Sequence, residues 1–271
     1  MDAITLIKKE GFRRKLSPIT IKTYCFYVKK FLNFCGKEPR KISKKDIKDY
    51  LDSISETKTG NTLNVALNSI RFLSEEILFR NWRLKIKYSK RPKDLPVVLT
   101  KSEIKLLTEV ITNPKHKLMI SIMYSAGLRV SELVSLKTED FDFEDNIGWV
   151  RHGKGNKDRL FIVAESLKQD IISWIDENGI ESYLFMGYKN TPLSTKSVYN
   201  IVKEATKKAG IRKNVHPHTL RHSFATHIIE NGYGLTSVQS LLGHSSMQTS
   251  LGYIHMVSPK MIAVKSPYDS L

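Results

Sequence analysis

The sequence predicts a mainly α-helical protein in two parts: a small all-helical domain, then a larger, mainly helical domain that carries a small β-sheet. Three observations lead there. Apolar residues recur at helical spacing through most of the 271 residues, punctuated by helix-start signals and glycines. Around 147–163 the period changes to short apolar runs about a glycine-bearing turn. Lys90-Arg91-Pro92-Lys93-Asp94-Leu95-Pro96 sets two prolines among mixed charges, the composition of a linker. The expected boundaries are 1–90, a linker at 91–97, and 98–271, and each domain is long enough to bury its own core.

Ser17-Pro18-Ile19-Thr20 opens the first predicted helix, with Ser17 as N-cap and Pro18 where its missing N–H costs nothing. Tyr24, Tyr27, Val28, Phe31, Leu32 and Cys35 fall on one face, and Gly36 closes it. Ser43-Lys44-Lys45-Asp46 resembles a capping box ahead of Ile47, Tyr50, Leu51 and Ile54. After Gly60-Asn61, a third long helix carries Leu63, Ala66, Leu67, Ile70, Leu73 and Ile77. In the second domain, Thr100-Lys101-Ser102-Glu103 is a full capping box opening a helix through Ile111. Further helices are expected over 114–126 (closed by Gly127), 128–136, 164–177, 195–209, 217–230, 237–242 and about 247–255. The runs 147–151 and 159–163 flank Gly153-Lys154-Gly155-Asn156-Lys157 as a β-hairpin.

The formal net charge is +17 and it is unevenly placed. Residues 1–97 hold 23 Lys+Arg against 10 Asp+Glu, and 98–271 hold 21 against 17. The first domain therefore carries most of the field that would attract a polyanion. Cys25 and Cys35 lie ten residues apart in one predicted helix, too far for a bridge within it, so a reducing compartment without disulfides is expected. No apolar run approaches the roughly 18 residues of a membrane span. Lys8 and Lys9 interrupt any signal-peptide core. The expectation is a cytoplasmic protein.

The chemistry-bearing residues gather late. His218 and Arg221 stand three apart on one helix and so share a face. Taken alone, the pair is most simply a solvated surface. His218 and His222 also have the spacing of paired metal ligands, but no His-Glu-x-x-His or nearby cysteine completes a site, so no metal and no cofactor is expected. Arg129, just past Gly127, reads most simply as one half of an ordinary surface salt bridge to Glu132 or its neighbours, worth little. Its functional reading pairs it with Arg221 as two guanidinium forks on one phosphate. The Gly153-Lys154-Gly155 turn lacks the spacing of a nucleotide-binding loop, and nothing supports ATP use.

Together, Gly127-Leu128-Arg129-Val130-Ser131-Glu132-Leu133, Gly153-Lys154-Gly155-Asn156-Lys157, His218-Thr219-Leu220-Arg221-His222-Ser223-Phe224-Ala225, Leu242-Gly243-His244 and Tyr253 stand in the order and spacing of the tyrosine recombinases. The chain resembles the two-domain Xer branch of that family, specifically over 98–271 and more loosely over 1–90. The resemblance implies the integrase fold, with a core-binding (SAM-like) helical domain and a catalytic domain. It further implies that Arg129 and Arg221 clamp the scissile phosphate, that Lys154 protonates the leaving 5′ oxygen, and that His218 is the general acid/base. His244 would hydrogen-bond the phosphate, Tyr253 would attack, and Glu132 would brace the site from behind. The implied partners are duplex DNA with a specific site and three further copies of the chain, forming a tetramer that exchanges strands through a Holliday junction.

Chromosome-dimer resolution of the Xer type is the expected task, with mobile-element integration as the alternative. A type IB topoisomerase shares the chemistry but relaxes DNA without exchanging partners. A DNA-binding protein with a vestigial catalytic set is a further alternative, disfavoured because all six positions are filled.

Overall fold

The computed structural model describes residues 2–80, 82, 86–89, 95–151 and 158–243. Lys154 and its turn, His244, Tyr253, the helix expected over 247–255, the tail that follows and most of the linker lie outside the described residues. Packing divides the chain into two compact units, Met1–Lys93 and Asp94–Leu271.

In the first unit, α1 (Ala3–Arg13), α2 (Pro18–Cys35), α3 (Lys44–Ser55) and α4 (Gly60–Arg71) enclose a core of Val28, Phe31, Ile47, Tyr50, Leu67, Ile70 and Leu73. The starts follow the sequence signals. The Thr20 N–H donates to Ser17 Oγ at 3.1 Å, and Ser43 and Asp46 form a reciprocal capping box. Two features depart from the expected pattern. Helix α1 was not expected; its Ala3 and Ile7 are buried, and Gly11 lets it lie directly against Ile21. The third long helix is not uniform, because after Arg71 it widens into a π-helical turn, Phe72–Ile77. There the Ser74 hydroxyl donates to the Ile70 carbonyl at 2.9 Å, competing with the backbone for that acceptor and favouring the wider turn. Beyond it, Asn64 exchanges two hydrogen bonds with the Ser89 backbone, fastening the 86–89 segment to α4. Both cysteines are free.

In the second unit, α5 (Lys101–Glu109), α6 (Pro114–Ser125) and α7 (Val130–Ser135) precede an antiparallel sheet of β1 (Phe141–Asp142), β2 (Ile147–Val150) and β3 (Arg159–Ile162), in that order. Helices α8 (Glu165–Glu177), α9 (Thr195–Lys208), α10 (Pro217–Glu230) and α11 (Leu235–Leu242) follow. Strand β1 was not expected, since two residues carry no legible period. The core gathers Leu107, Met119, Met123, Leu133, Phe161, Phe185, Val198 and Leu220.

Helix α10 is the beam of this unit. Thr219, Leu220, Arg221, Ser223, Phe224, Ala225, Thr226 and His227 are all buried, so it packs on more than one face. Its polar side chains are used internally: Ser223 Oγ accepts the Leu99 N–H at 2.9 Å, and His227 Nδ1 lies 2.9 Å from the Tyr124 hydroxyl. That rigid helix carries two of the candidate site residues.

Candidate active site

Arg221 lies mid-way along α10 with only 3% of its side chain exposed. A buried guanidinium is tolerated only where its donors are met. Nη1 donates to the Gly127 carbonyl at 2.6 Å and Nη2 to the Leu242 carbonyl at 2.5 Å. The Leu242 carbonyl belongs to the last turn of α11, where the helix leaves its acceptors unpaired and its dipole is negative. The end of one helix thus fixes an arginine borne by another.

Gly127 makes this arrangement feasible. It ends α6 in the left-handed conformation, φ +58°, and a Cβ there would fall 2.4 Å from the Phe224 ring. We expect Gly127→Ala to cost about 3 kcal/mol, combining left-handed strain with overpacking against Phe224. Urea denaturation checks this; a change below about 0.5 kcal/mol would mean that the turn can re-form elsewhere.

Arg129 is the N-cap of α7, and Glu132 is its third residue. The Arg129 N–H donates to Glu132 Oε2 at 2.8 Å, and its Nη1 to Oε1 at 2.5 Å. Nη2 reaches the same Leu242 carbonyl that Arg221 holds, at 3.5 Å. The surface salt bridge that the sequence suggested is therefore mistaken as to place: Glu132 is buried, with 4% of its side chain exposed. Burial works to raise its carboxyl, but the charges and hydrogen bonds of Arg159 and Arg129 outweigh that and hold it below the ordinary carboxylate range.

Arg159 is the residue that sequence reasoning missed. Its Nη2 pairs with Glu132 Oε2 at 2.7 Å, and its Nη1 donates to the Leu241 carbonyl. Arg221 Nη1 stands 3.6 Å from that same Oε2. A signal existed. In the run 159–163 the alternation puts Arg159 in phase with buried Phe161 and Val163, and across the sheet it faces buried Val150, so period two alone turns it inward. One carboxylate thus faces three guanidiniums, leaving a surplus of two positive charges before any ligand arrives.

His218 sits one turn before Arg221 at the exposed edge of α10, its ring stacked on His222 at 6.1 Å and edge-on to His216 at 6.4 Å. Partial desolvation, then the positive charges of Arg221, His216 and Arg129, hold its pKa below the ordinary imidazole value. It is therefore neutral at neutral pH and able to accept a proton. The structure brings Arg129, Glu132, Arg221 and His218 into one neighbourhood. Lys154, His244 and Tyr253 lie outside the described residues, although α11 ends at Gly243, the residue before His244. Among the described residues no cluster of three His, Cys, Asp or Glu side chains could hold a metal, and no helix is long and apolar enough to cross a membrane. Arginine forks carrying surplus positive charge beside a neutral imidazole suit a phosphate ester undergoing proton-coupled substitution.

Comparison with known proteins gives a consistent picture. The profile of the Phage integrase family matches residues 97–258, and that of the Phage integrase N-terminal SAM-like domain matches 7–84. The chain is 34% identical over 268 residues to a tyrosine recombinase of Thermosipho africanus, covering 93% of this chain and 94% of that protein. It is 36% identical over 218 residues to tyrosine recombinase XerA of Pyrococcus horikoshii, covering 79% of this chain and 74% of that one. The fold is similar to that of a XerH site-specific recombinase crystallised on its difH substrate, with a TM-score of 0.75 at 24% identity, covering 94% of this chain and 82% of that one.

Proposed function

The chain belongs to the phage integrase family of tyrosine recombinases, enzymes that transfer DNA strands in site-specific recombination, and from that premise we propose how its own residues carry out the reaction. Arg129 and Arg221 hold the two non-bridging oxygens of the scissile phosphate. The observation that carries this is the cluster around Glu132: the carboxylate fixes Arg129, the Gly127 and Leu242 carbonyls fix Arg221 beside it, and positive charge is left to spare. Each aimed donor on the developing charge is typically worth about 3 kcal/mol, so two arginines can stand where many nucleases use metal ions. The reaction then needs neither metal nor ATP.

The Tyr253 hydroxyl attacks phosphorus. A phenol is only about 0.1% ionised at neutral pH, so it needs a base, and neutral His218 takes its proton. The bond to the 5′ oxygen breaks, Lys154 supplies the proton to that oxygen, and His244 hydrogen-bonds the phosphate. The resulting 3′-phosphotyrosine conserves the diester bond, so the 5′-hydroxyl of a second duplex reseals it by the reverse step. Two such exchanges pass through a Holliday junction, in a tetramer on two paired sites.

In the first unit, Lys22, Lys29 and Lys30 share the exposed side of α2 with Ile19 and Phe26, a basic surface with apolar contacts suited to duplex DNA. Likeness to XerA favours chromosome-dimer resolution in the cytoplasm over mobile-element integration.

The test is to incubate the protein with sheared host DNA, without metal or ATP, and to sequence the ends of SDS-resistant adducts. We expect 3′-linked adducts at one recurring chromosomal sequence, absent with Tyr253→Phe. Scattered adducts would sink the site-specific reading, and a site confined to a mobile element would sink dimer resolution. On the identified site, with DNA sub-saturating so that the pH profile reports the free protein, the rate of adduct formation should be flat near neutrality. It should fall only at a pH below 6.5, the ordinary imidazole value, because His218 must be neutral and its pKa is depressed. An acid limb centred above that value would exclude His218 as the base.

A further inference from the structure

We propose that Arg159 is a positioning residue of strand transfer: it occupies the Glu132 oxygen onto which Arg221 would otherwise collapse, and so keeps Arg221 aimed at the phosphate. This rests on the recombinase reading above. Glu132 Oε2 is contested. Arg159 Nη2 holds it at 2.7 Å, while Arg221 Nη1 stands at 3.6 Å, beyond hydrogen-bond reach, and spends that donor on the Gly127 carbonyl. Without Arg159, Arg129 still holds Oε1, but Oε2 keeps only the Arg129 N–H, and the guanidinium standing nearest that under-paired buried oxygen is Arg221's, at 3.6 Å. Arg221 would then turn toward Glu132 and away from a bound phosphate.

Arg159 is built to stay in place. Only 7% of its side chain is exposed, and its Nη1 is anchored on the Leu241 carbonyl at the end of α11. Its Cδ also lies so close to Gly243 that a Cβ there would approach within 2.7 Å. Gly243 is left-handed, φ +59°, so the chain passes closely over the arginine stem just before His244. Among the described residues Arg159 Nε has no hydrogen-bond partner, and the residue is held by its two terminal nitrogens and by packing. Such burial keeps it off the DNA. It acts through Arg221 and the α11 turn.

A double-mutant cycle tests this, read as single-turnover adduct formation on a DNA that the wild-type chain cleaves, with DNA saturating. Arg159→Met should slow cleavage about 100-fold, the loss typical of a reacting group displaced by about 1 Å. Arg159→Lys, which keeps a charge on Oε2, should recover at least tenfold of that. In a Glu132→Gln background, where the neutral amide carries no charge to draw Arg221, adding Arg159→Met should change the rate less than about fivefold. A residue that merely stabilises the fold would slow both backgrounds alike, and that result overturns the proposal, as does an Arg159→Met chain cleaving within threefold of wild type. Should Arg159→Met fail to fold, the Glu132→Gln pair alone decides, since it contains no orphaned carboxylate. A wild-type chain that forms no adduct on any DNA would instead overturn the recombinase reading, and this inference with it.

Discussion

Glu132→Ala is expected to destabilise the catalytic unit by about 3–5 kcal/mol, the cost of stranding buried charge without its partner. The carboxylate is met by Arg129, Arg159 and Arg221, whose side chains are 18%, 7% and 3% exposed, so solvent cannot replace it. Glu132→Gln, which keeps the shape and the acceptor, should cost less. Urea denaturation of the three proteins measures this, and a loss below about 1 kcal/mol for Glu132→Ala would mean that the arginines re-solvate.

The same carboxylate predicts a pH dependence. Its folded pKa is depressed, so the stability it contributes is fully present above the unfolded value of about 4.3 and is lost as the pH falls through the folded value. Glu132→Gln should therefore flatten the acid side of the stability curve below about pH 4.3 while leaving its shape near neutrality unchanged.

Arg221→Lys should reduce adduct formation by about 10²–10³-fold, the usual consequence of removing an aimed donor from developing charge. A lysine ammonium keeps the charge but cannot bridge the Gly127 and Leu242 carbonyls while presenting a planar fork to phosphate. DNA affinity should change only a few-fold, because binding is spread over many phosphate contacts. Filter binding alongside single-turnover cleavage separates the two effects. A parallel loss of affinity and rate would place Arg221 in general DNA holding and not in the chemistry.

What the sequence by itself determined was local. Ser17, Ser43 and Thr100 announce helix starts because a capping side chain meets backbone donors within three residues, and the structure puts helices there. The change of period about 147–163 marks β2 and β3 for the same reason, since alternation is a property of adjacent residues. The motif order around Arg129 and Arg221 points to a family, and Gly127 to a helix end, which the structure makes left-handed. Helix α1, whose Asp2 makes no side-chain cap, the two-residue β1 and the π-helical turn gave too little local signal to be read.

The tertiary structure alone decided how the site is held. Glu132 is buried and not at the surface; the Arg159 that joins Arg129 on it comes from β3, and the Leu241 and Leu242 carbonyls receive the three arginines, all through contacts between residues 21 to 113 positions apart. Main-chain carbonyls are the same at every position and leave no mark in the sequence. Arg159 shows the division most clearly. Its alternation could have said that it points inward, but only the fold places a carboxylate there to receive it, which is what makes a buried charge tolerable at that position.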